Sequence, residues 1–226
     1  MKRKIAEQLL EKVKLDYDEI AEDFSMTRQH AWKEFELFKP YIKPKSAIAD
    51  IGCGNGRLIR ELELDVTYTG VDVSQKLLEQ AQALFPHHHF ALGSMLDIPI
   101  PDSSIDTVFS IAALHHIPSH ELRAKAVAEL ARITKPGGHV IITVWNLWQK
   151  KYFKSILKAA LKKAIYGPYD INDLFIPWQH KVHRYYHAFF QPELKRLLKK
   201  QFHVLELITT PSHNFLAICQ KPEQTE

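Results

Sequence analysis

Between residues 47 and 144, short apolar runs alternate with stretches of helical periodicity, and this alternation constrains the chain more than any other feature. Ala47–Ile51, Thr67–Val73, His88–Leu92, Thr107–Ala112 and His139–Val144 read as strands. Helical segments over 58–64, 75–84 and 119–133 fall between them. Strands and helices at this spacing pack as a parallel sheet covered on both faces. Upstream, residues 5–15 and 29–42 carry apolar side chains at helical spacing (Ile5, Leu9, Leu10, Val13; Trp32, Phe35, Phe38). Downstream, a helix over 191–200 opens with Gln191-Pro192-Glu193, Pro being tolerated in a first turn. Two closing strands, Phe202–Ile208 and Asn214–Gln220, lie close enough in sequence to form a hairpin.

A length of 226 residues, 46% of them hydrophobic, supports one sizeable core and leaves a second domain cramped. The expectation is a single domain: an N-terminal helical lid over 1–45, the alternating body, and a helical insertion over 147–181 that is far longer than an ordinary connection. Two cysteines, Cys53 and Cys219, cannot frame a disulfide scaffold and point to a reducing compartment. The basic start, Met1-Lys2-Arg3-Lys4, leads into a mixed charged stretch and not a leader-type apolar run. No window approaches the roughly 20 apolar residues of a spanning helix. A cytoplasmic protein without stable membrane insertion is therefore expected.

The net charge of +4 is unevenly placed. Residues 1–146 hold 17 Lys and Arg against 20 Asp and Glu, whereas residues 147–200 hold 12 against 3. Within 148–165, Trp148, Tyr152, Phe153, Ile156, Leu157 and Leu161 recur at helical spacing while six lysines fill the other face. Such a helix docks with a solvated lysine face, tracks phosphates, or lies on a membrane surface. Its place after the fifth strand, followed by Lys181, His183 and Arg184, favours RNA.

Gly52-Cys53-Gly54-Asn55-Gly56 sits directly between the first strand and a helix. Missing Cβ atoms there let a ligand lie against the backbone at a helix start. The spacing is GxGxG and not the GxGxxG of dinucleotide binders. Asp50 closes the first strand, and Asp72 ends the second, where a carboxylate accepts hydrogen bonds from both hydroxyls of a ribose. Strand, glycine loop, helix, strand and acid in one unit point to a bound nucleoside cofactor.

Asp50-Ile51-Gly52-Cys53-Gly54-Asn55-Gly56, Gly70-Val71-Asp72-Val73-Ser74 and Lys135-Pro136-Gly137-Gly138 together resemble class I S-adenosylmethionine-dependent methyltransferases. The resemblance implies an α/β, Rossmann-like fold: a seven-stranded, mostly parallel sheet with an antiparallel last strand and helices on both faces. It also implies S-adenosyl-L-methionine as cofactor, with the glycine loop at its methionine moiety, Asp72 and Val73 at the ribose, and Ser94 and Met95 at the adenine. Tyr17, Arg28, Asp50, Ile111 and Ala112 complete the implied cofactor set. Where the family often has an acid beside the adenine, this chain has Gly93-Ser94-Met95, so that contact loses its charge.

Further strings resemble one subfamily, the tRNA wobble-uridine carboxymethyl methyltransferases, which esterify the carboxylate of 5-carboxymethyluridine. They are Tyr17-Asp18-Glu19-Ile20-Ala21, Phe24-Ser25-Met26-Thr27-Arg28 with Trp32, Ser110-Ile111-Ala112-Ala113-Leu114-His115-His116, Val144-Trp145, Phe175-Ile176-Pro177-Trp178 and Arg184-Tyr185-Tyr186-His187-Ala188-Phe189. The larger eukaryotic members carry fused oxygenase or RNA-recognition domains, and a compact chain without them is the expectation here. Eukaryotic members also work with a small zinc-binding activator subunit.

A carboxylate, with an ordinary pKa near about 4, is ionised at neutral pH, so esterification needs no general base. The task is alignment and exclusion of water. Arg184 and His187 are the candidates for gripping the anion, with His116 beside them as the third candidate catalytic residue. Arg28 holds either the cofactor's carboxylate or the substrate. Trp32, His115, Trp145, Asn146, Trp178, Lys181 and Tyr186 form the candidate substrate set, Trp145 either stacking a base or packing in the core. His87-His88-His89 lacks a Cys or acidic cluster and reads as a solvated strand start, so no metal site is expected. Two other functions stay open: a methyltransferase for small or lipid-like molecules, which would bind vesicles, and a cofactor-binding subunit without turnover.

Overall fold

The strands predicted from 47 to 144 fall where the apolar runs place them. In the computed structural model, which describes residues 1–28, 33–62, 65–152, 156–157, 169–170 and 172–223, β1 spans Ala47–Ile51, β2 Thr67–Asp72, β3 His89–Leu92, β4 Ile105–Ile111 and β5 Thr134–Val144. A two-stranded pair, β6 (Asp173–Trp178) and β7 (Val182–His187), follows, and then β8 (His203–Thr209) and β9 (Phe215–Gln220). The large sheet has seven strands in the order β3-β2-β1-β4-β5-β9-β8. β1 to β5 pair in parallel, while β9 runs antiparallel to both β5 and β8.

Central strands are apolar on both faces because both faces are covered. Ile48, Phe109 and Ile141 join Phe35, Phe38 and Leu58 in one buried cluster. Their neighbours Ala49, Val108, Val140 and Ile142 join a second cluster with Leu130 and Leu194 on the other face, as the period of two requires. That second layer is built by α4 (His120–Ile133) and α5 (Gln191–Leu198), while α3 (Gln75–Leu84) follows β2. Ser74 and Ser119 cap α3 and α4 by accepting from the Leu77 and Leu122 amides. No helix among the described residues is long and apolar enough to cross a membrane.

Several local expectations are corrected. The N-terminal segment starts with α1 (Arg3–Glu19) and α2 (Ala21–Met26), so helix covers most of residues 16–25 as well. The helix expected over 29–42 is instead two 3-10 turns, Lys33–Leu37 and Lys39–Tyr41, with residues 29–32 outside the described part. Pro40 supplies no amide hydrogen and disfavours α geometry at Lys39. The helix after the glycine loop is a 3-10 turn, Arg57–Glu61. In the insertion, residues 173–178 are a strand and not helix, paired with β7 from Asp173↔His187 to Trp178↔Val182. Most of the lysine-rich stretch over 148–165 lies outside the described residues.

Candidate active site

In the sheet order the chain switches direction between β1 and β4, and open sheets of this kind bind ligands at the carboxyl ends of the strands there. A cavity of about 490 Å³ occupies that position. Its floor is the glycine loop after β1, and α1, α2 and β7 line it from the other side.

The loop is shaped by backbone bonds. Gly52 and Cys53 N–H both donate to the Val71 carbonyl, at 2.7 and 3.1 Å. Gly52 has φ +83°, and a Cβ there would stand 2.4 Å from the Ala113 Cβ, so only glycine lets the β1 and β4 loops approach so closely. Gly54 N–H donates to Asp72 Oδ2 at 2.8 Å, and Ser74 N–H to Oδ1 at 2.9 Å. Asp72 thus ties the loop to the end of β2; burial pushes its carboxyl up, opposed by these amides. Asp50 is buried too. Its Oδ2 accepts from the Tyr68 hydroxyl at 3.1 Å, while Oδ1 has no partner among the described residues. Burial raises its pKa to about 7, with the Tyr68 bond pulling the other way and the Asp72 charge adding to the rise.

Gly52, Cys53, Gly54, Asn55, Asp72, Val73, Ser94, Met95, Ile111 and Ala112 all line this end of the cavity. Gly56 does not line it; its amide closes the loop from beneath, donating to the Cys53 carbonyl at 3.0 Å. Cys53 is buried with its thiol pushed well up by desolvation, so it stays protonated. Ala112 has φ +54° without being glycine, and its amide is held by both the carbonyl and the Oγ1 of Thr143 at 3.0 Å. That kink aims the following turn, Leu114–His116, at the cavity.

The other end is made of side chains. Arg184 is 3% exposed. Its guanidinium lies 4.4 Å from the centre of the Trp178 ring, with Tyr186, Trp145 and Tyr17 rings at 5.3 to 5.8 Å. Its Nη1 donates to the Tyr17 hydroxyl at 3.3 Å, its Nε has no partner, and no carboxylate pairs with it among the described residues. Tyr17 donates onward to His116 Nε2 at 2.8 Å, and His116 Nδ1 donates to the Tyr185 carbonyl at 2.7 Å. Those partners fix a neutral ring, and burial lowers its pKa to about 3. His115 is fully buried; its Nδ1 accepts the Trp145 backbone N–H at 3.1 Å, so its proton sits on Nε2, which meets no acceptor among the described residues. Trp145 and Tyr186 stack at 5.1 Å and 21°. Asn146 is in the wall, its Oδ1 accepting the Trp148 amide at 3.0 Å. Arg28 also reaches the wall, over the Phe24 ring at 4.8 Å.

Not every expected residue arrives. Trp178 backs the Arg184 guanidinium but is not in the wall. Lys181 is exposed and paired with Asp23 of α2, which links the hairpin turn to that helix. Trp32 lies outside the described residues. His187 is corrected: it stands between Asp173 and Glu193, away from the cavity. Strand side chains alternate, so residues 184 and 187 face opposite sides of β7, and Arg184 and Tyr186 take the cavity side. Sequence reasoning missed Ser212 and Asn214, brought in by the β8–β9 loop, and Gln149. Nothing local marks them, because they meet the cavity only through tertiary packing.

Fold and loop together define a Rossmann-like protein built to hold a nucleoside cofactor. Residues 49–142 match the family model described as a methyltransferase domain. A tRNA (carboxymethyluridine(34)-5-O)-methyltransferase of Schizosaccharomyces pombe is 31% identical over 206 residues, covering 81% of this chain and 84% of its own length. The mouse (Mus musculus) protein of that name, ALKBH8, is 37% identical over 139 residues, covering 59% of this chain, and only 20% of the mouse protein is covered. Among solved structures, an S-adenosylmethionine-dependent methyltransferase of Methanosarcina mazei superposes with TM-score 0.72 at 21% identity, covering 83% of this chain and 98% of that one. The putative methyltransferase in complex with the Haloferax volcanii Trm112 activator superposes with TM-score 0.66 at 18% identity, covering 92% and 98%. This chain belongs to the S-adenosylmethionine-dependent methyltransferases, in the family of the tRNA (carboxymethyluridine(34)-5-O)-methyltransferases.

The donor set fits the cofactor. A buried carboxyl with an unpartnered oxygen, as at Asp50, calls for a donor or a cation, and S-adenosylmethionine carries an ammonium and a sulfonium. Asp72 remains able to accept further bonds beside the two amides it already holds.

Proposed function

We propose that the protein transfers a methyl group from S-adenosylmethionine to the carboxylate of 5-carboxymethyluridine at the wobble position of tRNA, giving the methyl ester. The observation that carries this reading is Arg184, a cation 3% exposed with no ion pair among the described residues. Burying an unpaired charge costs several kcal/mol, so a guanidinium facing a cavity in this state calls for an anionic ligand. Its four surrounding rings leave the planar fork free to grip a carboxylate. His115 Nε2–H adds an uncharged donor at the same wall, and Arg28 a second cation within Coulombic reach of Arg184.

When bound, S-adenosylmethionine supplies an electrophilic methyl group. A carboxylate is already the nucleophile at neutral pH and has no proton to lose. The protein's work is then to hold one side of the carboxylate through Arg184 and His115 while the other oxygen stays free, and to keep water out. His116 remains neutral and orients Tyr17. The Trp145–Tyr186 stack offers an aromatic face for the base. Asp50, Asp72, the glycine loop, Ser94 and Met95 take the cofactor, with α1 and α2 as a lid and Asn146 and Lys181 on the RNA side.

The 12 basic against 3 acidic residues over 147–200 suit a phosphate-tracking segment. We take the insertion as tRNA-binding, the protein as cytoplasmic, and a small zinc-binding activator as its partner; a related fold in Haloferax volcanii is bound to the activator Trm112. The test is incubation with labelled S-adenosylmethionine and tRNA bearing carboxymethyluridine. A base-labile label on the wobble nucleoside, seen by mass spectrometry, is expected; absence of label from any tRNA overturns the reading.

A further inference from the structure

His187 turns away from the cavity, yet it is one of the most enclosed polar groups in the molecule, 2% exposed. Both ring nitrogens meet carboxylate oxygens: Nδ1 meets Asp173 Oδ1 at 3.2 Å and Nε2 meets Glu193 Oε1 at 2.8 Å. Carboxylates only accept, so both bonds form only when the ring carries both protons. Asp173 stands directly across the hairpin from His187. It also accepts the Tyr185 hydroxyl at 2.7 Å and the Asp170 amide at 2.7 Å. Glu193, in the first turn of α5, lies 3.9 Å from the Arg123 guanidinium of α4. Arg123 in turn donates to the Ile117 carbonyl at 3.2 Å and rests over Phe189, the ring His187 meets edge-on. Asp170 is held by the N-terminal ammonium of Met1 at 3.3 Å. The charged and titratable groups around the ring therefore form one chain that runs from the hairpin through α5 to α4.

That chain matters because a two-stranded hairpin is marginal alone, and among the described residues β6–β7 shares no hydrogen-bonded edge with the large sheet. The hairpin nevertheless carries Arg184 and Tyr186 on its cavity face. We propose that His187 is a positioning residue: as an imidazolium bridging Asp173 and Glu193, it fastens the hairpin to the body and so holds Arg184 at the substrate carboxylate. It touches no reacting atom. This inference rests on the reading of Arg184 as the anion-binding residue.

The test uses the full chain with His187→Gln and Glu193→Gln. Hydrogen exchange of the 182–187 amides needs no substrate, and both variants should exchange there at least tenfold faster than the parent. S-adenosylmethionine affinity should stay within twofold, kcat within threefold, and KM for carboxymethyluridine tRNA should rise about tenfold in His187→Gln. Unchanged exchange together with unchanged KM overturns the proposal, as does a loss of cofactor affinity matching the rise in KM. If His187→Gln does not fold, Glu193→Gln decides by the same measurements. Should the parent make no ester, the functional reading fails by itself, and hairpin exchange alone still judges the clasp.

Discussion

The two ends of the cavity are built on opposite principles. The end we assign to the cofactor is backbone: amides of Gly52, Cys53, Gly54 and Ser74 are tied to Val71 and Asp72 within two short segments, 52–56 and 70–74. The end we assign to the substrate is side chain: Tyr17, His115, His116, Trp145 and Arg184 come from four separate stretches of sequence and meet only in the fold. A backbone cradle suits a ligand that every relative with this loop must hold. An assembly of charged and aromatic side chains suits selection of one particular substrate, since side chains change without disturbing the sheet. The two ends should therefore fail separately.

The largest break should come at Arg184. Arg184→Ala removes the anion grip and should cut kcat/KM about a thousandfold, on the order of 4 kcal/mol, with cofactor affinity by calorimetry within twofold of the parent. An equal loss in both would mean the ends are one unit. Next is Gly52→Ala. Its Cβ would sit 2.4 Å from Ala113 in a backbone at φ +83°, so stability should fall by about 3 kcal/mol and cofactor binding should weaken tenfold or more. Denaturant unfolding and titration with S-adenosylmethionine check it.

The same contrast explains what the sequence disclosed. The alternating runs gave the parallel sheet because its central strands are buried on both faces, and the glycine loop with Asp72 was local enough to read. Arg184 was legible as a charged residue in a distinctive string, but its burial was not. His187 was misread because adjacent members of a string look equivalent, although a spacing of three on a strand puts them on opposite faces. The 3-10 turns around Pro40 were lost to helical periodicity, which records apolar spacing and not amide supply. Ser212 and Asn214 reach the cavity only because β8 and β9 close the far edge of the sheet.

A pH experiment sharpens the cofactor end. Asp50 titrates at about 7 in the fold against 3.8 when exposed. Its protonated form therefore favours the folded state, a contribution fully present below the unfolded pKa and lost as pH rises through 7. The ligand-free protein should lose stability between acid and neutral pH, and Asp50→Asn should flatten that slope. A cationic ligand prefers the ionised carboxylate, so affinity for S-adenosylmethionine should rise about eightfold from pH 6 to pH 7.5, and the Asn variant should show no such rise. Calorimetry at both pH values decides it.

The smallest expected effect tests the seam between the two ends. Tyr17 is bonded to Arg184 and His116, yet its hydroxyl also feels the Asp72 charge, and burial is the main force raising its pKa. Tyr17→Phe leaves the His116 Nε2 acceptor buried without its donor and frees one Arg184 nitrogen. The loss of one neutral hydrogen bond is worth about 1 kcal/mol, or about fivefold. If the hydroxyl serves the substrate end, that factor should appear in KM for tRNA while cofactor affinity moves less than twofold. A fivefold fall in cofactor affinity with KM unchanged would instead assign Tyr17 to the cradle and shift the boundary by one residue, leaving Arg184 to act on the substrate alone.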